Sequence, residues 1–283
     1  MVSESALLHD ASPTGEGWIA LLYLALLAVG TLTAVLLLRV GLRHPIAWHS
    51  RTTVVQNRPL TWRDSGILLA LILTLLATTV GISWLLKHPT PIVLLLLESL
   101  LLDAAGLAVL GGYLRLRGIG WDAAFGLSGG AFVRSMRLGL IFYLAILPFV
   151  FFSSLIYQGI LTANGYPPTL QDVAMLLTAD NPFWLRIYLI FLAVVLAPVF
   201  EECVFRGIVF PLLARRWGIG AGIFISSLAF AAIHAHLPSL IPLCVVAVGF
   251  AMGYLYSGSL WVPITMHALF NAVNLGLLLM IRD

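Results

Sequence analysis

The sequence predicts an all-α, polytopic membrane bundle of about eight transmembrane helices, and three observations carry that prediction. Of the 283 residues, 61% are hydrophobic and only 10% are charged, whereas soluble domains run near a quarter charged. The apolar residues fall in runs of about twenty, the length a helix needs to cross a hydrocarbon core of roughly 30 Å. Arginines gather between those runs. Arg39, Arg43, Arg51, Arg58 and Arg63 form one cluster, Arg115, Arg117, Arg134 and Arg137 a second, and Arg206, Arg215 and Arg216 a third. Basic clusters beside membrane spans mark cytoplasmic loops rather than a nucleic-acid surface, so no nucleic-acid partner is expected.

Taken in order, the first seventeen residues lack a basic start and carry Glu4, Asp10 and Glu16, which predicts a short exposed tail and no cleavable signal peptide. The first span is expected over Trp18 to Leu38. A basic loop, Arg39 to Asp64, then lies on the interface with Trp48 and Trp62. A second span runs from Gly66 to Leu86, then a tight turn at Lys87 to Pro91, and a third span from Ile92 to Gly112 that contains Glu98 and Asp103. Tyr113 to Met136 reads as a second basic loop, either a surface helix or a re-entrant piece. The fourth span runs from Leu138 to Tyr157, and the polar loop Gln158 to Pro182, poor in basic residues, belongs on the far side.

The fifth span, Phe183 to Phe205, includes Pro198, which removes a backbone hydrogen bond and bends the helix. The sixth is expected over Gly220 to Ala235, the seventh over Leu240 to Tyr256 and the eighth over Leu260 to Ile281. Eight spans put both termini on the non-cytoplasmic side and all three arginine clusters inside, in an integral protein of the cell (plasma) membrane. No internal repeat is visible, so residues 1–137 and 138–283 form one continuous membrane domain. Cys203 and Cys244 suggest neither a disulfide framework nor a thiolate metal cage, and read as small core residues.

Chemistry concentrates at Ala197-Pro198-Val199-Phe200-Glu201-Glu202-Cys203-Val204-Phe205-Arg206. Ionisable side chains in a bilayer cost roughly 2.5–3.5 kcal/mol each on insertion scales and usually mark function. Neighbours on a helix point about 100° apart, so Glu201 and Glu202 cannot both face one small site. Glu202 and Arg206 are spaced i, i+4 and can pair, which leaves Glu201 as the spare carboxylate and a plausible general base. The same charges would also suit an interfacial cap on a transmembrane helix. Further on, His234 closes Phe230-Ala231-Ala232-Ile233-His234, with His236 two residues later, and His267 and Asn271 share a face at i, i+4. A histidine in a membrane helix is commonly a bonded core residue. For these groups to meet, Glu201 must lie deeper than a span ending at Phe205 suggests, and the sixth helix must be short, tilted or preceded by a cytoplasmic stretch. Gly218, Gly220 and Gly222 give that connection freedom.

Glu201-Glu202-x-x-x-Arg206, Phe230-x-x-x-His234 and His267-x-x-x-Asn271, in this order and each on its own hydrophobic segment, resemble the three motifs of the CPBP (CAAX protease and bacteriocin-processing) intramembrane proteases. That family is also called the type II CAAX-processing endopeptidase or ABI family. The resemblance covers the C-terminal part of the chain and includes the lead-in Ala197-Pro198 and the approach Gly258 to His267. It implies a helical bundle around a catalytic cavity open to the cytoplasm. It implies that Glu201 and His234 activate water, that His267 and Asn271 stabilise the oxyanion, and that Glu202 and Arg206 support Glu201. The substrate would be a membrane-associated peptide, lipidated CAAX-type or small, cut without cofactor or covalent intermediate. His236 has no counterpart in the motifs.

Three alternatives stand beside this reading. A zinc peptidase would use Glu201, His234 and His267 as ligands, although no His-Glu-x-x-His pair occurs and Arg206 beside the carboxylates disfavours a cation. A non-catalytic scaffold, immunity or chaperone protein of the same fold would tolerate Glu201→Gln. A proton-coupled transporter would use Glu98, Asp103 and Glu201 as relays and should show paired repeats or broken helices, which are not visible. Glu98 and Asp103 are i, i+5, off one α-helical face, and are expected to face the bundle interior in hydrogen bonds or, second, along a proton path.

Overall fold

The computed structural model describes residues 15–43, 53, 55–87, 89–166 and 169–282. Most of the predicted N-terminal tail, the part of the first basic loop that holds Trp48 and Arg51, His88, and Pro167-Pro168 lie outside the described residues. The rest is helical throughout, with no strand among the described residues. The order is α1 (Gly15–Arg43), α2 (Trp62–Leu85), α3 (Pro91–Leu116), a surface helix α4 (Trp121–Phe125), α5 (Phe132–Ala163), α6 (Asp172–Thr178), α7 (Phe183–Trp217), α8 (Ile219–Ile233), α9 (Leu240–Ser257) and α10 (Trp261–Arg282). Among the described residues, seven helices are long and apolar enough to cross a membrane, and α8 is the shorter apolar helix that accompanies them. The polytopic bundle is the fold the composition dictates. Of the second basic loop, Tyr113 to Leu116 end α3 and Phe132 to Met136 begin α5, and between them lie the short α4 and a 3-10 turn, Gly129–Ala131.

The largest departure from the sequence reading is the length of α7. The predicted span stops at Phe205 because Arg206, Arg215 and Arg216 read as a loop. Arg206 is in fact buried, 1% exposed, so its charge is compensated inside and the helix continues to Trp217. Gly218 then ends it at φ +85°, a conformation only glycine adopts without strain. The 35 residues of α7 extend about 50 Å, which places Glu201 near the middle of the span. The α8 helix turns back from Gly218, and His234 comes after that glycine by about as many residues as Glu201 precedes it. An antiparallel hairpin with those equal arms levels the two groups, which resolves the depth problem posed by the sequence.

Two stretches of α7 are π-helical, Leu192–Leu196 and Phe205–Val209, and within two residues of the end of each comes a proline, Pro198 or Pro211. A proline in a helix lacks the N–H for the i−4 carbonyl and crowds that carbonyl. Widening the preceding turn relieves both faults, and such turns re-aim the side chains beyond them.

Aromatic side chains fill the core around these turns, with Phe125, Phe205, Phe210, Phe230, Phe250 and Tyr254 all buried. The first basic loop is part of this packing and not simply an interfacial strip. Arg215 donates to the carbonyls of Gln56 (2.6 Å), Leu60 (2.5 Å) and Arg58 (2.8 Å). Arg58 in turn donates to the carbonyls of Asp122, Ala123 and Gly258. Asp64, 2% exposed, caps α2 by accepting from Thr61, and also accepts from Tyr113 Oη (2.7 Å) and Arg117 Nε (2.9 Å).

α3 meets α7 where Gly106 lies against the ring of Phe200. A Cβ at Gly106 would come within 2.9 Å of Phe200 Cζ, whereas one at Gly81, inside α2, would have nothing within 4 Å. Gly106→Ala is therefore expected to destabilise the protein by about 1–3 kcal/mol, and Gly81→Ala to be neutral or stabilising by up to about 1 kcal/mol. Thermal unfolding of the two variants in detergent checks this. Equal midpoints would mean that the Gly106–Phe200 contact is not a tight one.

Candidate active site

Glu202 and Arg206 form the pair that their spacing predicts. Arg206 Nη1 donates to Glu202 Oε1 at 2.9 Å, with the side chains 1% and 0% exposed. Arg206 Nη2 donates to the Ala247 carbonyl of α9 at 3.0 Å, which ties α7 to α9. The guanidinium lies 4.5 Å from the ring centre of Phe230 and 5.1 Å from that of Phe250. A buried ion is tolerable only with such compensation: one counter-ion, one carbonyl and two π faces.

Both histidines have Nδ1 engaged. His234 Nδ1 lies 2.8 Å from the Phe230 carbonyl, so this nitrogen carries the proton and donates it. His267 Nδ1 lies 3.1 Å from Glu202 Oε1, the same oxygen that Arg206 holds. Donation to an ionised, Arg-paired carboxylate fixes the proton on Nδ1 there too. In the neutral rings both Nε2 atoms are then bare acceptors. They face the same atom: Glu201 Oε2 is 4.0 Å from His234 Nε2 and 3.9 Å from His267 Nε2. That oxygen is buried and has no hydrogen-bond partner among the described residues. Phe250 stacks on His267 at 5.0 Å, and Phe230 sets its edge against both imidazoles. The aromatic pair that flanks Arg206 thus also orients the histidines. Phe250 carried no signal in the sequence.

Asn271 reaches another partner. Its Nδ2 donates to the Ala193 carbonyl at 2.7 Å, in the first π turn of α7. One amide hydrogen is spent there, and the second remains for other work. His236 lies outside the group, between Thr169 Oγ1 at 3.0 Å and Ser239 Oγ at 2.8 Å. Cys203, next to the glutamates, is fully buried, and both cysteines are free.

The two carboxylates of α3 differ in burial but stay within electrostatic reach of each other. A π-helical turn over Glu98–Ala104 repeats about every five residues and not every 3.6, so α-helical spacing does not apply here. Asp103 is buried, 9% exposed, and falls within electrostatic reach of Glu201. Glu98, about 10 Å along α3 from its start, remains exposed and does not face the interior. Asp103 thus faces the interior as the sequence reading expects and brings a third acidic side chain near Glu201 from the other half of the chain.

A metal at this site would take Glu201 Oε2 and the two Nε2 atoms. Among the described residues, however, no three His, Cys, Asp or Glu side chains are gathered closely enough to form a metal-holding group.

Residues 182–273 match the family model described as type II CAAX prenyl endopeptidase Rce1-like. The CPBP resemblance holds over this segment. It contains every member of the three motifs, from Glu201 to Asn271. A curated protein of Bacillus subtilis (strain 168), named "Putative membrane peptidase YdiL", is 34% identical over 85 residues, which is 29% of this chain and 34% of that protein. The matched part thus spans about a third of the relative's length. No solved structure matches the chain.

Proposed function

We propose that the protein is an intramembrane endopeptidase that hydrolyses a peptide bond of a membrane-associated substrate by Glu201- and His234-activated water. The observation that carries this reading is the orphaned, buried Glu201 Oε2 opposite two imidazole Nε2 atoms at 4.0 and 3.9 Å. Those gaps are too wide for direct hydrogen bonds, and on this reading a water enters between Glu201 Oε2 and His234 Nε2 with one hydrogen for each. Glu201 takes one proton from that water as its oxygen bonds to the scissile carbonyl carbon, His234 Nε2 accepts the water's other hydrogen bond, and Glu201 then gives the proton to the amine nitrogen as the C–N bond breaks. The oxyanion that forms needs donors. Asn271 has one amide hydrogen left, and His267 donates from Nε2 when that nitrogen has taken up a proton from solvent before the step. Glu202 accepts from Nδ1 of that ring, and Arg206 pairs with the same oxygen of Glu202. The Rce1-like family model and the B. subtilis relative support peptidase chemistry, and the family resemblance suggests prenylated CAAX-type or small peptide substrates.

A panel of fluorescence-quenched peptides, soluble and lipidated, cut by the purified protein in detergent tests this reading. Cleavage is expected with wild type, unchanged by a chelator. Loss with chelator and recovery with Zn²⁺ would replace the proposal by a zinc mechanism through Glu201, His234 and His267. Equal background from wild type and His234→Ala on every peptide would leave a scaffold as the better description.

A further inference from the structure

At the start of α5 a cavity of about 290 Å³ is lined by Arg134, Ser135, Leu138, Tyr256, Ser257 and Ser259, together with Ala131. It is close to the lower end of the volumes that hold small ligands, roughly 300 Å³, and its lining contains no carboxylate. The α5 helix begins without a capping side chain, and although the Phe132 N–H is spent on the Gly129 carbonyl, this end of the 32-residue helix carries the positive pole of its dipole. Arg134 on this first turn is exposed and forms no ion pair among the described residues.

Ser135 is the decisive group. It is 4% exposed and lines the cavity, yet its hydroxyl has no hydrogen-bond partner among the described residues. Several other helical hydroxyls in this chain turn back on a carbonyl one turn earlier, as Thr74 and Thr265 do. The hydroxyls opposite are different. Ser257 Oγ donates to the Gly253 carbonyl and Ser259 Oγ to the Gly126 carbonyl. For a ligand they retain only lone pairs, one of which on Ser257 Oγ is already taken by the Ser259 N–H at 3.1 Å. The cavity therefore offers anion donors on one wall and hydroxyl-accepting oxygens on the other.

We propose that this cavity binds the phosphodiester of a glycerophospholipid head group, with Arg134 and Ser135 holding the phosphate and Ser257 and Ser259 accepting from head-group hydroxyls. Its position selects the membrane as the source. It opens at the arginine-bearing end of the span Gly129–Ala163, and Phe132, Val133, Met136 and Leu140 of the same helix are exposed apolar surface along which acyl chains can lie. The site is independent of the peptidase reading, because it uses none of the proposed catalytic residues.

Native mass spectrometry of the delipidated full-length protein, titrated with phosphatidylglycerol, tests it. Arg134→Gln and Ser135→Leu, the second filling the cavity, are each expected to weaken lipid binding about tenfold, the loss of one charge-assisted contact or of the space itself. Arg216→Gln, an exposed arginine outside the cavity, should change it less than about twofold, and diacylglycerol, which lacks the phosphate, should show no dependence on either variant. Wild-type affinity in Arg134→Gln, which is exposed and leaves the fold intact, would overturn the proposal. Full displacement of the lipid by equimolar inorganic phosphate would overturn the lipid assignment in favour of a free-anion site.

Discussion

Glu201→Gln is expected to lower peptide cleavage by about a thousandfold or more while leaving the protein folded. The substitution keeps size and shape and removes only the ability to accept a proton. A positioned general base is worth roughly 10²–10⁴-fold, and on the proposed reading the same carboxylate also orients the attacking water toward His234. Glu201 is 19% exposed and pairs with no arginine or lysine, so neutralising it strands no opposite charge. The turnover number should therefore collapse with little change in KM or in the unfolding midpoint, the pattern of an interaction made in the transition state. His234→Ala should behave in the same way with a smaller loss. Single-turnover cleavage of a lipidated peptide, measured beside thermal unfolding, separates the two readouts. A Gln variant that keeps more than about a tenth of wild-type activity would move the base elsewhere, with Asp103 the nearest candidate.

Much of this site could be read from spacing alone, and the unread part has one physical origin. The Glu202–Arg206 pair is local, four residues apart on one helix, so helical periodicity is sufficient to propose it. Periodicity assumes an unbroken α-helix, however. The π turns at 98–104, 192–196 and 205–209 each shift the phase of the residues beyond them. In α3 the expectation that both carboxylates face the interior holds for Asp103 and fails for Glu98, which is exposed. The early stop at Phe205 failed differently. Hydropathy scores Arg206 as a loop residue, and only the tertiary contacts with Glu202, Ala247, Phe230 and Phe250 make it a core residue. The partners on other helices lie tens of residues away in the chain, where no local pattern can point.

Arg206→Ala is the variant expected to damage the fold most. It leaves Glu202, fully buried, with its charge uncompensated, and breaking a buried pair from one side costs about 3–5 kcal/mol. It also removes the donor to Ala247 and empties the space between Phe230 and Phe250. The same two rings contact the imidazoles, so activity should fall even in the fraction that remains folded. Arg206→Lys should rescue little, since one ammonium cannot span Glu202 and Ala247 as the planar fork does. The informative comparison is the double variant Glu202→Gln/Arg206→Met, in which neither charge remains and the volume is roughly kept. It is expected to recover much of the stability lost in Arg206→Ala, because the stranded carboxylate is gone. It should not recover activity, since His267 Nδ1 then faces an amide and its protonated ring loses the ionised partner at 3.1 Å. Unfolding midpoints and cleavage rates on the same three preparations decide the matter. If stability and activity return together in the double variant, the pair serves packing alone, and the positioning of His267 by Glu202 is wrong.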